Sequence, residues 1–414
     1  MAHGRKFPNA IKGAWNIKLI PYSRQTVTLT DALRVGWQVW RHSLTQGPRI
    51  SEFEKSVASE VGAKYAVAVS SGTAGLHIAL EAMQLPKDAE VITSPISFMA
   101  SSNAVFYAGL TPRFIDIDSR TLNIDIAKVS AEISSNKKIS AVIPVHFGGL
   151  PCDMKLLSEN LKSSGVAVIE DAAHALGASY DCGSKVGSCK YSDMTVFSFH
   201  PVKSVTTGEG GVITTNSIDL YNRLLQLRSH GISQQAESFI APLLASTDGV
   251  RNPWYHEMQR LGYHYRLTEI QAVLGISQMK KLRRFIARRQ SKAKFYDTHL
   301  SEMKNLCPAQ FTQIQNSARH LYVIRIDFTR INMSRAELMS ALKEKGIGTQ
   351  VHYRPIPQQP FYIDMGYDFT KYPEALHYYE EALSIPLYPT LRRGQQKYII
   401  KTLHALIEKS RLDN

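Results

Sequence analysis

Lys203 lies in Thr195-Val-Phe-Ser-Phe-His-Pro-Val-Lys-Ser-Val-Thr-Thr-Gly-Glu-Gly-Gly-Val212, between a short apolar run and a glycine cluster. An amine held between two strands is partly desolvated, which lowers its pKa. Such an amine suits Schiff-base formation with an aldehyde cofactor. Gly208, Gly210 and Gly211 are expected to let backbone approach a ligand where side chains would clash. A lone lysine in a turn is most often solvated. Residues upstream change that reading.

Val166-Ala-Val-Ile-Glu-Asp171 puts a carboxylate at the end of an apolar run. Buried there, it needs a cationic partner, and a protonated pyridine nitrogen supplies one. The protonated ring is then an electron sink. Read alone, Asp171 would serve equally well as the cap of the next turn. His174 could stack on or hydrogen-bond a cofactor ring, although a single histidine is more often a satisfied interior one. Ser70-Ser-Gly-Thr-Ala74 follows another apolar run and opens a helical pattern. Amides at a helix N-terminus make a phosphate seat, here offered by Gly72 and Thr73. Ser198 alternates with Phe197 and Phe199, so its hydroxyl points away from the phenyl rings and toward the same phosphate. Phe98, beyond Thr93-Ser-Pro-Ile-Ser97, could stack on a planar ring, and a core phenylalanine would look the same.

The elements that must position these residues alternate. Apolar strands are expected at 65–70, 90–93, 112–115, 139–145 and 166–170, with helices at 73–83, 98–107, 125–134 and 154–163 between them. That pattern means βαβ units and an α/β fold around a mostly parallel sheet. Ligands on such sheets bind beyond the carboxyl ends of the strands, where the candidates cluster. One long basic helix is expected from Thr268 to about Tyr296. It leads from a large cofactor-binding domain, 20–285, to a smaller α+β domain, 286–414. In the latter, strands are expected at 320–328 and 348–352, and Ser334-Arg-Ala-Glu337 is a capping box. Helices near 373–383 and 394–409 complete it.

The 414 residues suggest about two domains. Apolar content of 44% and charged content of 20% are those of a globular protein. The formal charge of +14 comes from 49 Lys and Arg against 35 Asp and Glu, and suits an anionic metabolite. Basic pairs such as Arg283-Arg284 recur at helical spacing without interleaved aromatics, so no nucleic-acid partner is expected. Cys152, Cys182, Cys189 and Cys307 form no metal-type pair. With no secretory signal and no bilayer-length apolar run, a cytoplasmic protein without membrane contact is the expectation.

Ser71-Gly-Thr-Ala-Gly-Leu-His77, Glu170-Asp-Ala-Ala-His174, Ser198-Phe-His-Pro-Val-Lys203 and Gly208-Glu-Gly-Gly211 together resemble the sugar aminotransferases of the DegT/DnrJ/EryC1 family. The likeness runs from about Ile20 to the end and leaves Met1–Lys18 uncovered. It implies the fold-type-I architecture of pyridoxal-phosphate transferases. It also implies pyridoxal 5′-phosphate as cofactor, joined covalently to Lys203, with Asp171 on its pyridine nitrogen and His174 beside its ring. Gly72, Thr73 and Ser198 would bind the phosphate and Phe98 would stack on the ring. Leu44-Thr-Gln-Gly-Pro48, Arg228-Ser-His-Gly-Ile232, Leu261-Gly-Tyr-His-Tyr-Arg-Leu267, Arg319-His-Leu-Tyr322 and Gly346-Ile-Gly-Thr-Gln-Val-His-Tyr-Arg-Pro355 resemble the branch acting in pseudaminic-acid biosynthesis. That branch resemblance implies an L-glutamate donor and a UDP-linked 4-keto-6-deoxy sugar. It makes Arg228, His230, His320, His352, Tyr353 and Arg354 substrate contacts. A homodimer with shared sites is implied too. Where the family usually has an asparagine reaching the neighbouring subunit's cofactor phosphate, this chain has His264. Another nucleotide-sugar aminotransferase of the same family fits the same residues, and two rivals of other kinds remain. One is a dehydratase of the same family, which carries histidine in place of the lysine; the other is a non-catalytic DNA-binding regulator.

Overall fold

A computed structural model of the chain describes residues 19–410, apart from 234–235, 302, 304 and 311–315. The segment Met1–Lys18 lies outside the described residues. Two helices, α1 (Leu29–Arg41) and α2 (Pro48–Val61), precede the first strand, β1 (Tyr65–Val69). Then come α3 (Gly72–Met83), β2 (Glu90–Thr93), α4 (Ala100–Tyr107), β3 (Thr111–Phe114), α5 (Ile126–Ser135) and β4 (Ile139–Ile143). The unit closes with α6 (Met154–Leu161), β5 (Ala167–Asp171), β6 (Met194–Ser198), β7 (Gly211–Thr215) and α7 (Ile218–Arg228). Local chemistry starts these helices. Ser71, Asp125 and Ser217 each turn a side-chain oxygen to a first-turn amide.

The seven strands form one sheet in the order β1-β7-β6-β5-β4-β2-β3. Strand β7 runs antiparallel to both neighbours, and the other paired strands run parallel. Apolar layers cover both faces. Leu76, Leu80, Val105 and Leu224 pack on one, and Phe53, Val57, Ile133 and Leu157 on the other. The pleat therefore sends Val196 to the first layer and Phe197 to the second.

The expected long helix at 268–296 is two helices, α8 (Glu269–Met279) and α9 (Leu282–Leu300). Tertiary charge breaks it. Lys281 turns its Nζ onto Asp31 Oδ1 (2.5 Å) and Thr28 Oγ1 (2.7 Å), and Gln278 Nε2 donates to the same carboxylate (2.9 Å). Helix α9 then serves both bodies. Phe285 and Ile286 sit in the large core, whereas Ala293, Tyr296 and Leu300 sit in the small one with Ile20.

The small domain pairs Leu306–Pro308 with Val323–Ile326, and that strand with Ala382–Ser384. Helices α10 (Arg335–Glu344), α12 (Pro373–Glu381) and α13 (Arg393–Lys409) surround them, and α11 (Pro360–Asp364) instead packs Tyr362 against Phe106 and Phe114 of the large sheet's side. Ser334 and Glu337 form the capping box. The strand expected at 348–352 is absent as a strand: Gln350 alone bridges to Ser384, and the backbone then turns to carry His352 and Tyr353 toward the sheet. None of the helices within the described residues is long and apolar enough to cross a membrane.

Candidate active site

A cavity of about 580 Å³ opens at the carboxyl ends of the strands. Ser71, Gly72 and Thr73 enter it after β1, Ser97 and Phe98 after β2, Asp171 at the end of β5 with His174 beyond it, and Ser198 at the end of β6 with Lys203 beyond it. The small domain closes the far side with His352, Tyr353 and Arg354. Of the residues singled out from the sequence, the cavity brings together Lys203, Asp171, His174, Gly72, Thr73, Ser198, Phe98, His352, Tyr353 and Arg354.

Lys203 sits in a turn closed by its own amide donating to the His200 carbonyl (2.9 Å). Solvent reaches part of its side chain through the cavity mouth, yet protein surrounds the ammonium. Burial lowers its pKa from 10.5 to about 8, against the pull of Asp171. A lysine so placed is available as a free amine near neutral pH. The glycines beside it do not front the cavity as expected. Gly208 adopts φ +84°, and a Cβ on Gly211 would lie 2.4 Å from the Ser71 carbonyl oxygen. They are there for a left-handed turn and for close passage of β7 behind α3.

Asp171 is buried at the end of β5. The Ser101 hydroxyl donates to Oδ2 (2.6 Å) and the Ala173 amide to Oδ1 (3.1 Å). Both donors are neutral, so the anion still calls for a cation on its cavity side. A pyridinium nitrogen fits that need. At the other end, the Gly72 and Thr73 amides belong to the first turn of α3, where backbone donors have no intrahelical acceptor. With the Ser198 hydroxyl they suit a phosphate.

His174 is buried, with Nε2 3.3 Å from the Tyr353 hydroxyl. Burial and then the nearby Lys203 hold its pKa well below the ordinary value, so the ring is neutral. His352 bonds Ser384 Oγ through Nδ1 (2.8 Å), and burial, then Lys203, lowers it to about 4. Burial raises the Tyr353 phenol, which keeps its proton. Arg354 is exposed at the rim and donates through Nε to Gln358 (3.2 Å).

Four expected residues lie outside the cavity lining. Arg228 pairs with Glu54 (2.6 Å) and donates to the Ala68 carbonyl (3.0 Å), packing α7 against α2 and β1. His230 and His264 are exposed, with ring centroids 5.4 Å apart. His320 is buried behind His174. The cavity also holds residues that sequence reasoning missed. Ser97 lines it, and Ser101, buried behind the lining, links Ser97 to Asp171. Tyr22 rests on His352 with centroids 5.6 Å apart. His200 lies 4.0 Å from Glu209 at the rim. Ser101 carried no signal beyond its place in a helical pattern, and Tyr22 is 181 residues from Lys203 in the sequence.

A parallel sheet with one reversed strand, a desolvated lysine, a buried carboxylate opposite an anion seat and a neutral histidine between them define a fold-type-I pyridoxal-phosphate transferase. Comparison with known proteins narrows the class. Residues 26–404 match the model of the DegT/DnrJ/EryC1/StrS aminotransferase family. The spore coat polysaccharide biosynthesis protein SpsC of Bacillus subtilis is 36% identical over 94% of this chain and 97% of its own. A UDP-4-amino-4,6-dideoxy-N-acetyl-β-L-altrosamine transaminase of Campylobacter jejuni is 34% identical over 94% and 98%. Among solved structures, the Helicobacter pylori aminotransferase PseC, involved in pseudoaminic acid biosynthesis, superposes with a TM-score of 0.84 at 28% identity, covering 95% of this chain and all of that one. The chain belongs to the DegT/DnrJ/EryC1/StrS aminotransferase family. It is a pyridoxal-phosphate-dependent sugar aminotransferase.

Proposed function

We propose that this enzyme moves the amino group of L-glutamate to C4 of a UDP-linked 4-keto-6-deoxy sugar, the step that feeds pseudaminic-acid biosynthesis. The observation carrying the chemistry is that Lys203 and Asp171 line one cavity with the first turn of α3. The sugar assignment is supported by the Campylobacter relative's name, and His352, Tyr353 and Arg354 on the cavity wall opposite the sheet are the residues we assign to the sugar.

Bound pyridoxal phosphate supplies an electron sink for the carbon that carries the amine. The chain supplies the rest. Asp171 keeps the ring nitrogen protonated, and Ser101 with the Ala173 amide fixes that carboxylate. Gly72, Thr73 and Ser198 take the phosphate. Lys203 Nζ, freed when the donor's amine takes its place on the cofactor, would take the proton from the donor's α-carbon and return it to the cofactor carbon that then carries the amine, as a base whose pKa lies near the working pH. Neutral His174 flanks the ring without adding a charge beside Lys203. The +14 balance draws in a nucleotide diphosphate. Lysine at 203 speaks against the dehydratase reading.

We also read the protein as a cytoplasmic homodimer in which exposed His264 donates to the partner's cofactor phosphate. The deciding assay offers a panel of nucleotide keto sugars together with glutamate. Amination of the UDP-4-keto sugar with 2-oxoglutarate released is the expected result. A deoxygenated product without 2-oxoglutarate, or amination of a different keto sugar only, would sink the assignment.

A further inference from the structure

His320 was expected to touch substrate, but it does not line the cavity. Its imidazole packs on His174 with ring centroids 4.4 Å apart and planes 36° apart. His174 does line the cavity. Both rings are buried, and neither Nδ1 has a hydrogen-bond partner among the described residues. Contact between the faces, and not a polar bond, is therefore what joins them.

The backbone around His320 is fixed on two sides. Its amide donates to the Gly148 carbonyl (2.9 Å), and its carbonyl accepts from Arg289 Nη1 (3.1 Å). Arg289 is fully buried and also donates to the Leu387 carbonyl (3.0 Å), so it ties α9 to the seam between the two cores. Gly149 fits between the two histidine backbones: a Cβ there would lie 2.9 Å from the His174 carbonyl oxygen and 3.1 Å from the His320 nitrogen. On its other side His174 meets Tyr353 through Nε2. The ring is thus clasped between a hydroxyl at its edge and an imidazole on its face.

We propose that His320 is a positioning residue for His174, not a sugar contact: its ring fills the space behind His174 and fixes the plane that His174 presents to the cofactor. Shape carries this role, so a planar apolar ring of similar size can replace the imidazole. The inference rests on the cofactor reading given above, and not on the identity of the sugar. Burial, followed by His174, Lys203 and Arg289, holds the His320 pKa well below its ordinary value, in keeping with a neutral packing ring.

The test compares His320→Phe with His320→Ala in the holoenzyme. Readouts are retention of pyridoxal phosphate on dialysis, the glutamate half-reaction, and kcat and KM for the sugar. His320→Phe should stay within about threefold of wild type, because a planar ring still backs His174. His320→Ala should lose cofactor faster and drop kcat by about 10-fold with the sugar KM unchanged, as expected when a group is misplaced but no contact is lost. A sugar KM raised equally by both variants would overturn the proposal, as would His320→Ala retaining wild-type kcat and cofactor. Thermal unfolding of the apoproteins separates folding loss from misplacement. Cofactor retention and the glutamate half-reaction involve no sugar, so a wrong sugar assignment leaves this test intact.

Discussion

Ser101 donates its hydroxyl proton to Asp171 Oδ2 across 2.6 Å, with Ser97 Oγ 2.7 Å behind it. A serine has one proton to give, so Ser97 must donate to Ser101 in turn. This short relay orients the carboxylate before any cofactor arrives. Ser101→Ala leaves one buried carboxylate oxygen without its donor, a loss of about 1–3 kcal/mol. The expected outcome is a roughly 10-fold weaker hold on pyridoxal phosphate and a similar fall in kcat. Equilibrium dialysis and steady-state kinetics check it. Wild-type values for both would mean that Asp171 is held by other groups.

The Lys203 amine, lowered from 10.5 to about 8, makes a pH prediction for the apoprotein. Trapping of added pyridoxal phosphate by borohydride should rise with pH, reach half its plateau near pH 8 and level about one unit above, since the free amine is the nucleophile. Between about 8 and the ordinary lysine value, the unfolded chain holds a proton that the folded one has released, so stability rises with pH across that window. Below it the cost of burying the ammonium is present in full. Lys203→Ala should abolish trapping and amination, remove this pH dependence and leave the fold intact. A trapping curve still climbing past pH 9.5 would contradict a desolvated amine.

Glu170, next to Asp171 but on the opposite face of β5, is fully buried and accepts four hydrogen bonds: from His146 Nε2 (2.7 Å), Tyr180 (2.5 Å), Ser192 (2.5 Å) and Thr195 (2.9 Å). Burial raises its pKa, but the bonds from His146, Ser192 and Tyr180 outweigh that and leave it lowered. The Cys152 amide donates to His146 Nδ1 (3.1 Å), so the histidine keeps a lone pair there and turns its proton to the carboxylate. That geometry favours a neutral ring, even though the Cys152 and Glu170 side chains draw its proton affinity up against burial. A lowered carboxyl gives stability that is present above the unfolded-state pKa and lost as pH falls through the folded one. Glu170→Gln should therefore cost about 1–3 kcal/mol near neutral pH and less in acid. Denaturant unfolding at several pH values measures it. An equal cost at every pH would mean that the carboxylate charge is not what these donors stabilise.

Much of this was legible in the sequence, because the βαβ rhythm places strand ends and the chemistry sits at strand ends. Lys203, Asp171, His174, Gly72, Thr73 and Ser198 all follow apolar runs, and the cavity gathers all six. What escaped was decided by contacts distant in sequence. The helix break at Lys280 depends on Asp31, and nothing in a basic helical stretch records that carboxylate. His320 and His352 look alike in sequence, each a histidine with a tyrosine and an arginine within two residues. Only packing sends one behind His174 and the other to the cavity wall. Arg228 reads as an anion contact until Glu54, far upstream, is found against it.

Helix α1 is turned inside out for a free-standing chain. Its buried residues are Asp31 and Gln38, whereas Leu29, Leu33, Trp37 and Trp40 are 75%, 65%, 55% and 68% exposed. These four recur at helical spacing, so they form one apolar stripe, and Arg41 lies over the Trp40 ring with 4.1 Å to its centroid. An apolar stripe of this length on a surface helix marks a partner site. A second copy of the chain is the occupant we expect, because His230 and His264 are also exposed and stand outside their own cavity. Trp37→Glu should then shift the protein from dimer to monomer in sedimentation. Its activity should fall with the dimer fraction if, as proposed, His264 reaches a neighbour's cofactor. Lys203 would keep its reactivity toward aldehyde in the monomer, which separates lost assembly from lost folding. Should wild type sediment as a monomer at micromolar concentration, or Trp37→Glu remain a dimer, this face is not where the copies meet.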